Sequence, residues 1–252
     1  MEYKEYGTAQ PTIILFLHGG GVGGWMWDKQ VRYFSHYHCI VPTLTDGVTT
    51  FSIEACAMTL AQLLTEKAQG KKVVVIGFSL GAQIAIKLMS IRPHSIDYAI
   101  LNSALVIPSP LMVRMIRPML RLTFPLIKNQ TFARLQAKTL YIGADYFPQY
   151  YEDSQKITAA TLTAILQENM SFTIPENFST VTSKLLVTVG AKEKGVMKNS
   201  AKHLVQSHPN SQGVILPNIG HGISLAQPAI FNQFVADWLQ TGQLPVGEVI
   251  GQ

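Results

Sequence analysis

The chain has 252 residues, 47% hydrophobic and only 14% charged: enough apolar side chain for one large core, and too apolar for a disordered protein. The formal net charge of +5 is concentrated in Pro108 to Lys138, which carries Arg114, Arg117, Arg121, Lys128, Arg134 and Lys138 and no acid. No recognition motif accompanies that excess, so no nucleic-acid partner is expected. Cys39 and Cys56 are the only cysteines, which excludes a disulfide framework and a zinc module. The opening MEYKEY lacks the apolar stretch of a signal peptide, so a cytoplasmic location is expected.

In chain order, Met1 to Gly7 reads as a short edge strand and Thr12 to Leu17 as a buried one. The latter runs into His18-Gly19-Gly20-Gly21-Val22-Gly23-Gly24-Trp25-Met26-Trp27. Gly19, Gly21 and Gly24 satisfy Gly-x-Gly-x-x-Gly, and Asp46 lies at a distance suited to a ribose, which together give a dinucleotide-binding reading. A helix near Lys29 to Phe34 and a strand at His38 to Pro42 follow. Ser52 to Ala68 is a helix with Ile53, Met58, Leu60, Leu63 and Leu64 towards the sheet. Val73 to Ile76 is an unbroken β-branched run suited to a strand buried on both faces, and Ala82 to Met89 has helical spacing.

Between these two lies Gly77-Phe78-Ser79-Leu80-Gly81. A serine at so sharp a strand-to-helix turn is held in strained backbone geometry, its hydroxyl at the carboxyl end of the sheet. The amide of Leu80 then sits at a helix N-terminus, where an oxyanion is stabilised. This stretch resembles the nucleophile elbow of the α/β-hydrolase family. The resemblance implies an α/β fold: a mostly parallel central sheet flanked by helices, with an inserted helical cap. It also implies that the glycine-rich loop is an oxyanion loop, with Gly20 donating alongside Leu80, Gly21 as the alternative donor, and His18 structural. Gly21, Trp25 and Phe78 are expected to line the substrate pocket; for Trp27, as for Trp25, packing beside the next helix is the commoner role of such an aromatic. The Asp-x-x-Gly-x-Gly turn common in the family is matched only partly, by Thr45-Asp46-Gly47-Val48.

Ser95 to Asn102 gives the next strand. Residues 108–180 then break the alternation with prolines at 108, 110, 118, 125, 148 and 175. The family inserts its cap here, so 1–107 and 181–252 are assigned to the hydrolase core and 108–180 to the cap. Arg114, Arg117 and Arg121 share one helical face, while Leu111, Met112, Met115, Met119 and Leu122 cover much of the rest. The expectation is a cap helix with a solvated basic side; the sharper alternative is an interfacial contact with lipid or an anionic substrate through 111–122. No stable membrane insertion is expected, because arginines and Pro118 interrupt the apolar run.

Lys184 to Val189 returns to the sheet and ends in Gly190-Ala191-Lys192-Glu193. Glu193 is the only carboxylate between Glu176 and Asp237, and it fills the family's position for the triad acid; Asp145 is held in reserve. Lys198 to Gln206 is a helix and Gly213 to Leu216 the last strand. Next comes Gly220-His221-Gly222, where the family places its histidine. Ala229 to Leu239 is an amphipathic closing helix, and Thr241 to Gln252 a loosely held tail.

The order Ser79, Glu193, His221 is the family's order, and the resemblance implies a serine hydrolase acting through an acyl-enzyme on an ester-like bond. The expected substrate is a small, moderately hydrophobic molecule. No metal or organic cofactor is expected, and the chain is expected to be a monomer or homodimer. Carbon–carbon bond hydrolase, cofactor-free haloperoxidase, acyltransferase and a non-catalytic ligand-binding receptor are the alternatives on this fold.

Overall fold

The computed structural model describes residues 1–45 and 50–251. The strands are β1 (Tyr3–Tyr6), β2 (Thr12–Leu17), β3 (His38–Pro42), β4 (Lys72–Phe78), β5 (Tyr98–Asn102), β6 (Lys184–Gly190), β7 (Ser211–Leu216) and β8 (Glu248–Ile250). They form one sheet in the order β1-β3-β2-β4-β5-β6-β7-β8, parallel except for the two edges. The apolar runs TIILFL of β2 and VVVI of β4 are buried on both faces, as parallel strands between helical layers must be.

Short α1 (Asp28–Tyr33) follows a 3₁₀ turn at Gly24–Trp27, and α2 (Ile53–Ala68) is capped by the Ser52 hydroxyl, which accepts from the Ala55 amide. After β4 comes α3 (Leu80–Ile91). Met58 does not face the sheet as expected but is exposed. At about 100° per residue it lies roughly 140° round the helix from Ile53, off the arc of Cys56, Ala57, Leu60 and Leu64.

Between β5 and β6 the chain forms α4 (Pro110–Ile127), α5 (Gln130–Thr139), α6 (Phe147–Lys156) and α7 (Ala159–Ser171), with no strand among the described residues. Buried Gln83 of α3 anchors α7: its amide donates to the Leu105 and Asn169 carbonyls, and its oxygen accepts from the Asn169 side chain at 2.9 Å. Glu168 of α7 also accepts from the Ile53 amide at the start of α2, at 2.7 Å. Lys128, at the end of α4, donates to the carbonyls of Ser154, Gln155 and Ile157 at the end of α6.

The C-terminal part holds α8 (Gly195–Gln206), α9 (Ile223–Ala226) and α10 (Pro228–Thr241). The tail is not loose. After Gly242 turns the chain at φ +76°, β8 pairs antiparallel with β7 and buries Ile250 beside Gly213. An open sheet edge is a ready template for another strand, and β8 fills it; β7 is therefore not the last strand. No helix among the described residues is long and apolar enough to cross a membrane.

Candidate active site

Ser79 stands between β4 and α3 at φ +53°, ψ −115°, a conformation costly for any residue with a β-carbon. Its amide donates to the Asn102 carbonyl at 2.9 Å, and its own carbonyl accepts from Ala82 and Gln83 as the helix begins. The flanking glycines make the turn sterically possible. A β-carbon on Gly77 would lie 2.6 Å from the Gly81 carbonyl oxygen, and one on Gly81 would overlap the Leu17 carbonyl.

Glu193 follows β6, and its buried carboxylate is fully engaged. One oxygen accepts from the Gly190 amide at 2.9 Å and from the Ser103 hydroxyl at 2.7 Å; the other pairs with His221 Nδ1 at 2.8 Å. Burial raises its pKa, but the hydrogen bonds from His221, Gly190 and Ser103 outweigh this and hold the carboxyl below its ordinary value. Folding back over its own turn gives the glutamate room for its additional methylene. Asp145, the reserve acid, is exposed near Lys29.

His221 lies in the loop after β7. Gly190 lets that loop come close, since a β-carbon there would lie 2.5 Å from the Ile219 carbonyl oxygen. The Lys192 amide donates to the same carbonyl. Phe78, next to the serine, packs its ring against the imidazole with centroids 4.8 Å apart, which brings the histidine to the elbow. With Nδ1 donating to Glu193, Nε2 is the nitrogen left to take a proton.

The glycine loop reaches the same place. A β-carbon on Gly20 would lie 3.0 Å from Ile165 of α7 and 3.2 Å from the Leu80 side chain, so both expected oxyanion donors are neighbours; around Gly21 the space is open. Buried His18 fixes the loop, as its Nε2 accepts from the Leu44 amide and its Nδ1 donates to the Gly19 carbonyl. Gly24 opens a 3₁₀ turn rather than the α-helix a dinucleotide loop requires. Asp46 and Gly47 lie outside the described residues.

A cavity of about 1080 Å³ extends from this loop beneath the inserted helices, with Gly20, Gly21, Trp25, Leu120, Tyr150 and Asp153 among its walls. It adjoins the edge that carries Ser79 through Gly20; Ser79 and His221 are not among its lining residues. Trp25 donates to Asp153 at 2.7 Å and stacks on Tyr146. Phe78, expected in the pocket, is elsewhere, and Trp27 takes the packing role. Phe78 is buried against His221 and Gly19, and Trp27 is buried in the core between Phe16 and Phe231.

Three contributors escaped the sequence reading: Ser103, Tyr141 and Asp153. Among the described residues, five non-glycines have positive φ, and four are at this edge: Ser79, Ser103, Asn218 of the histidine loop, and Tyr141. Tyr141, between α5 and α6, accepts the Gly220 amide on its hydroxyl at 3.2 Å. Strain of this kind gathers at functional sites.

A strained serine, a histidine on a buried carboxylate and a glycine loop at the carboxyl edge of a parallel sheet define the α/β-hydrolase class of proteins. A profile of the alpha/beta hydrolase family matches residues 14–234, and the chain belongs to that family. An AB hydrolase superfamily protein of Gibberella zeae is 25% identical over 98% of this chain and 87% of its own. Among solved structures, a thermophilic esterase from Thermogutta terrifontis is similar at TM-score 0.71 and 19% identity, covering 95% of this chain and 92% of its own. A bromoperoxidase from Bacillus anthracis is similar at TM-score 0.76 and 16% identity, covering 94% of each chain. At such identities the likeness is one of fold, and the fold is common to different chemistries.

Proposed function

We propose that this hydrolase cleaves ester-like bonds through Ser79, His221 and Glu193. The observation that carries the reading is the His221–Glu193 pair at the same sheet edge as the strained serine. His221 Nε2 takes the Ser79 proton as Oγ attacks the substrate carbonyl, and Glu193 stabilises the imidazolium. The amides of Leu80 and Gly20 receive the developing oxyanion, each worth about 3 kcal/mol in the transition state. His221 returns the proton to the leaving alcohol, then activates water to release the acid. No metal or organic cofactor takes part in these steps.

The 1080 Å³ cavity suits a small, moderately hydrophobic acyl or alcohol group, which the helices of 108–180 cover as a cap. Two cysteines whose thiols burial pushes up to about 12 suit a reducing cytoplasm. The test is a series of p-nitrophenyl esters from acetate to decanoate. Turnover that peaks at short or medium chains and disappears in Ser79→Ala supports the reading. Equal rates in wild type and Ser79→Ala refute it.

A further inference from the structure

We propose that α4 is a docking surface for an anionic lipid bilayer. A helix of an ordinary globular protein has one buried apolar face and one polar face; α4 has three faces. Ile116 and Leu120 are buried against the rest of the molecule. Leu111, Met112, Met115, Met119, Leu122 and Leu126 lie within an arc of about 100° at 100° per residue, and all are exposed, Leu111 by 70% and Leu122 by 82%. Arg114, Arg117 and Arg121 form a third stripe beside that arc, exposed and without an acidic residue anywhere between Asp97 and Asp145.

Water is a poor neighbour for six adjacent large apolar side chains. A bilayer surface satisfies both stripes at once: the leucines and methionines enter the headgroup–acyl boundary while the arginines meet lipid phosphates. A second copy of the chain fits less well, because a twofold interface on this face would set each arginine stripe close to its own image. The docking face also communicates with the cavity. Met119 is in the exposed stripe and, with Leu120 and Thr123, among the cavity walls. Lipid under α4 is therefore one side chain from the cavity.

The test is sedimentation of the full chain with phosphatidylcholine vesicles, with and without phosphatidylglycerol, at low and high salt. The expected result is binding to the anionic vesicles at least tenfold tighter than to the neutral ones, weakened by salt. Each arginine contributes about fivefold, so the triple variant Arg114→Gln, Arg117→Gln, Arg121→Gln loses roughly 100-fold. The pair Leu111→Asn, Leu122→Asn loses more than about tenfold with all charges kept. Thermal melts check folding; if the pair is unstable, L122N alone serves, its side chain being almost fully solvated. No binding, equal binding to both vesicles, or a leucine pair that binds like wild type overturns the proposal. So does sedimentation equilibrium showing a dimer that the leucine variants dissociate, which would assign this face to a second copy.

Discussion

Ser103 shows how one side chain sets another's job. It follows β5 at φ +57° and gives its hydroxyl to the Glu193 oxygen that also accepts the Gly190 amide, leaving the second oxygen for His221. Ser103→Ala should lower kcat about three- to tenfold at unchanged KM, in line with one buried hydrogen bond at roughly 0.5–1.5 kcal/mol. Glu193→Gln removes the charge that stabilises the imidazolium and should cost about 10³–10⁴ in kcat. The same residue makes stability depend on acid. Its folded pKa lies below the ordinary 4.5, so its contribution is complete above about that pH and is lost as pH falls through the lower folded value. Stability followed by circular dichroism should fall more steeply below about pH 4.5 in wild type than in Glu193→Gln, whose stability is lower above that pH and flatter across the window. That Ser79, Leu80, Gly20, Glu193 and His221 gather at one edge could be read ahead of the structure, the first two from the fixed glycine spacing of the elbow and the others from the chain order the resemblance implies. Ser103 could not, since a serine after a strand carries no signal of the carboxylate it will meet 90 residues on.

At the scale of elements, the insertion reaches the candidate active site at two places. The α7 helix is pinned to the core by Gln83 and Glu168, while Tyr141 holds the histidine loop through the Gly220 amide. Tyr141→Phe keeps the ring and removes the acceptor. Because that bond is exposed, water replaces it in stability but not in position. The expected outcome is a kcat reduced about three- to tenfold with a melting temperature within about 2 °C of wild type, measured by ester kinetics and calorimetry. The strands β2, β3, β4 and β6 were legible as apolar runs, and α2 and α10 by their periodicity. Met58 was misplaced because its apolar character was followed in place of its angle, which by residue spacing alone already puts it outside the buried arc. Trp27 packs in the core, as the commoner role of such an aromatic suggests, but its partners Phe16 and Phe231 are announced by no local pattern.

For the whole molecule, the sheet is completed at both ends by antiparallel strands from the two termini. β8 was invisible in the sequence: a three-residue strand after Gly-rich chain has little propensity of its own and forms because the edge of β7 is waiting for it. Deleting residues 243–252 would uncover β7 and the core around Val205 and Val214. It should lower the melting temperature by roughly 4 °C or more, as the burial of Ile250 alone is worth about 1.5–3 kcal/mol. The same sheet carries the central claim, since β4, β6 and β7 each deliver one of the three residues proposed as catalytic to a common edge.

That claim is tested most directly by intact mass after exposure to a fluorophosphonate, on wild type, Ser79→Ala, Glu193→Ala and His221→Ala. A single adduct on wild type, absent in Ser79→Ala and formed at least about 100-fold more slowly in the other two, is the result an activated serine predicts. Folded wild type that takes no adduct, or an adduct that persists in Ser79→Ala, would contradict it.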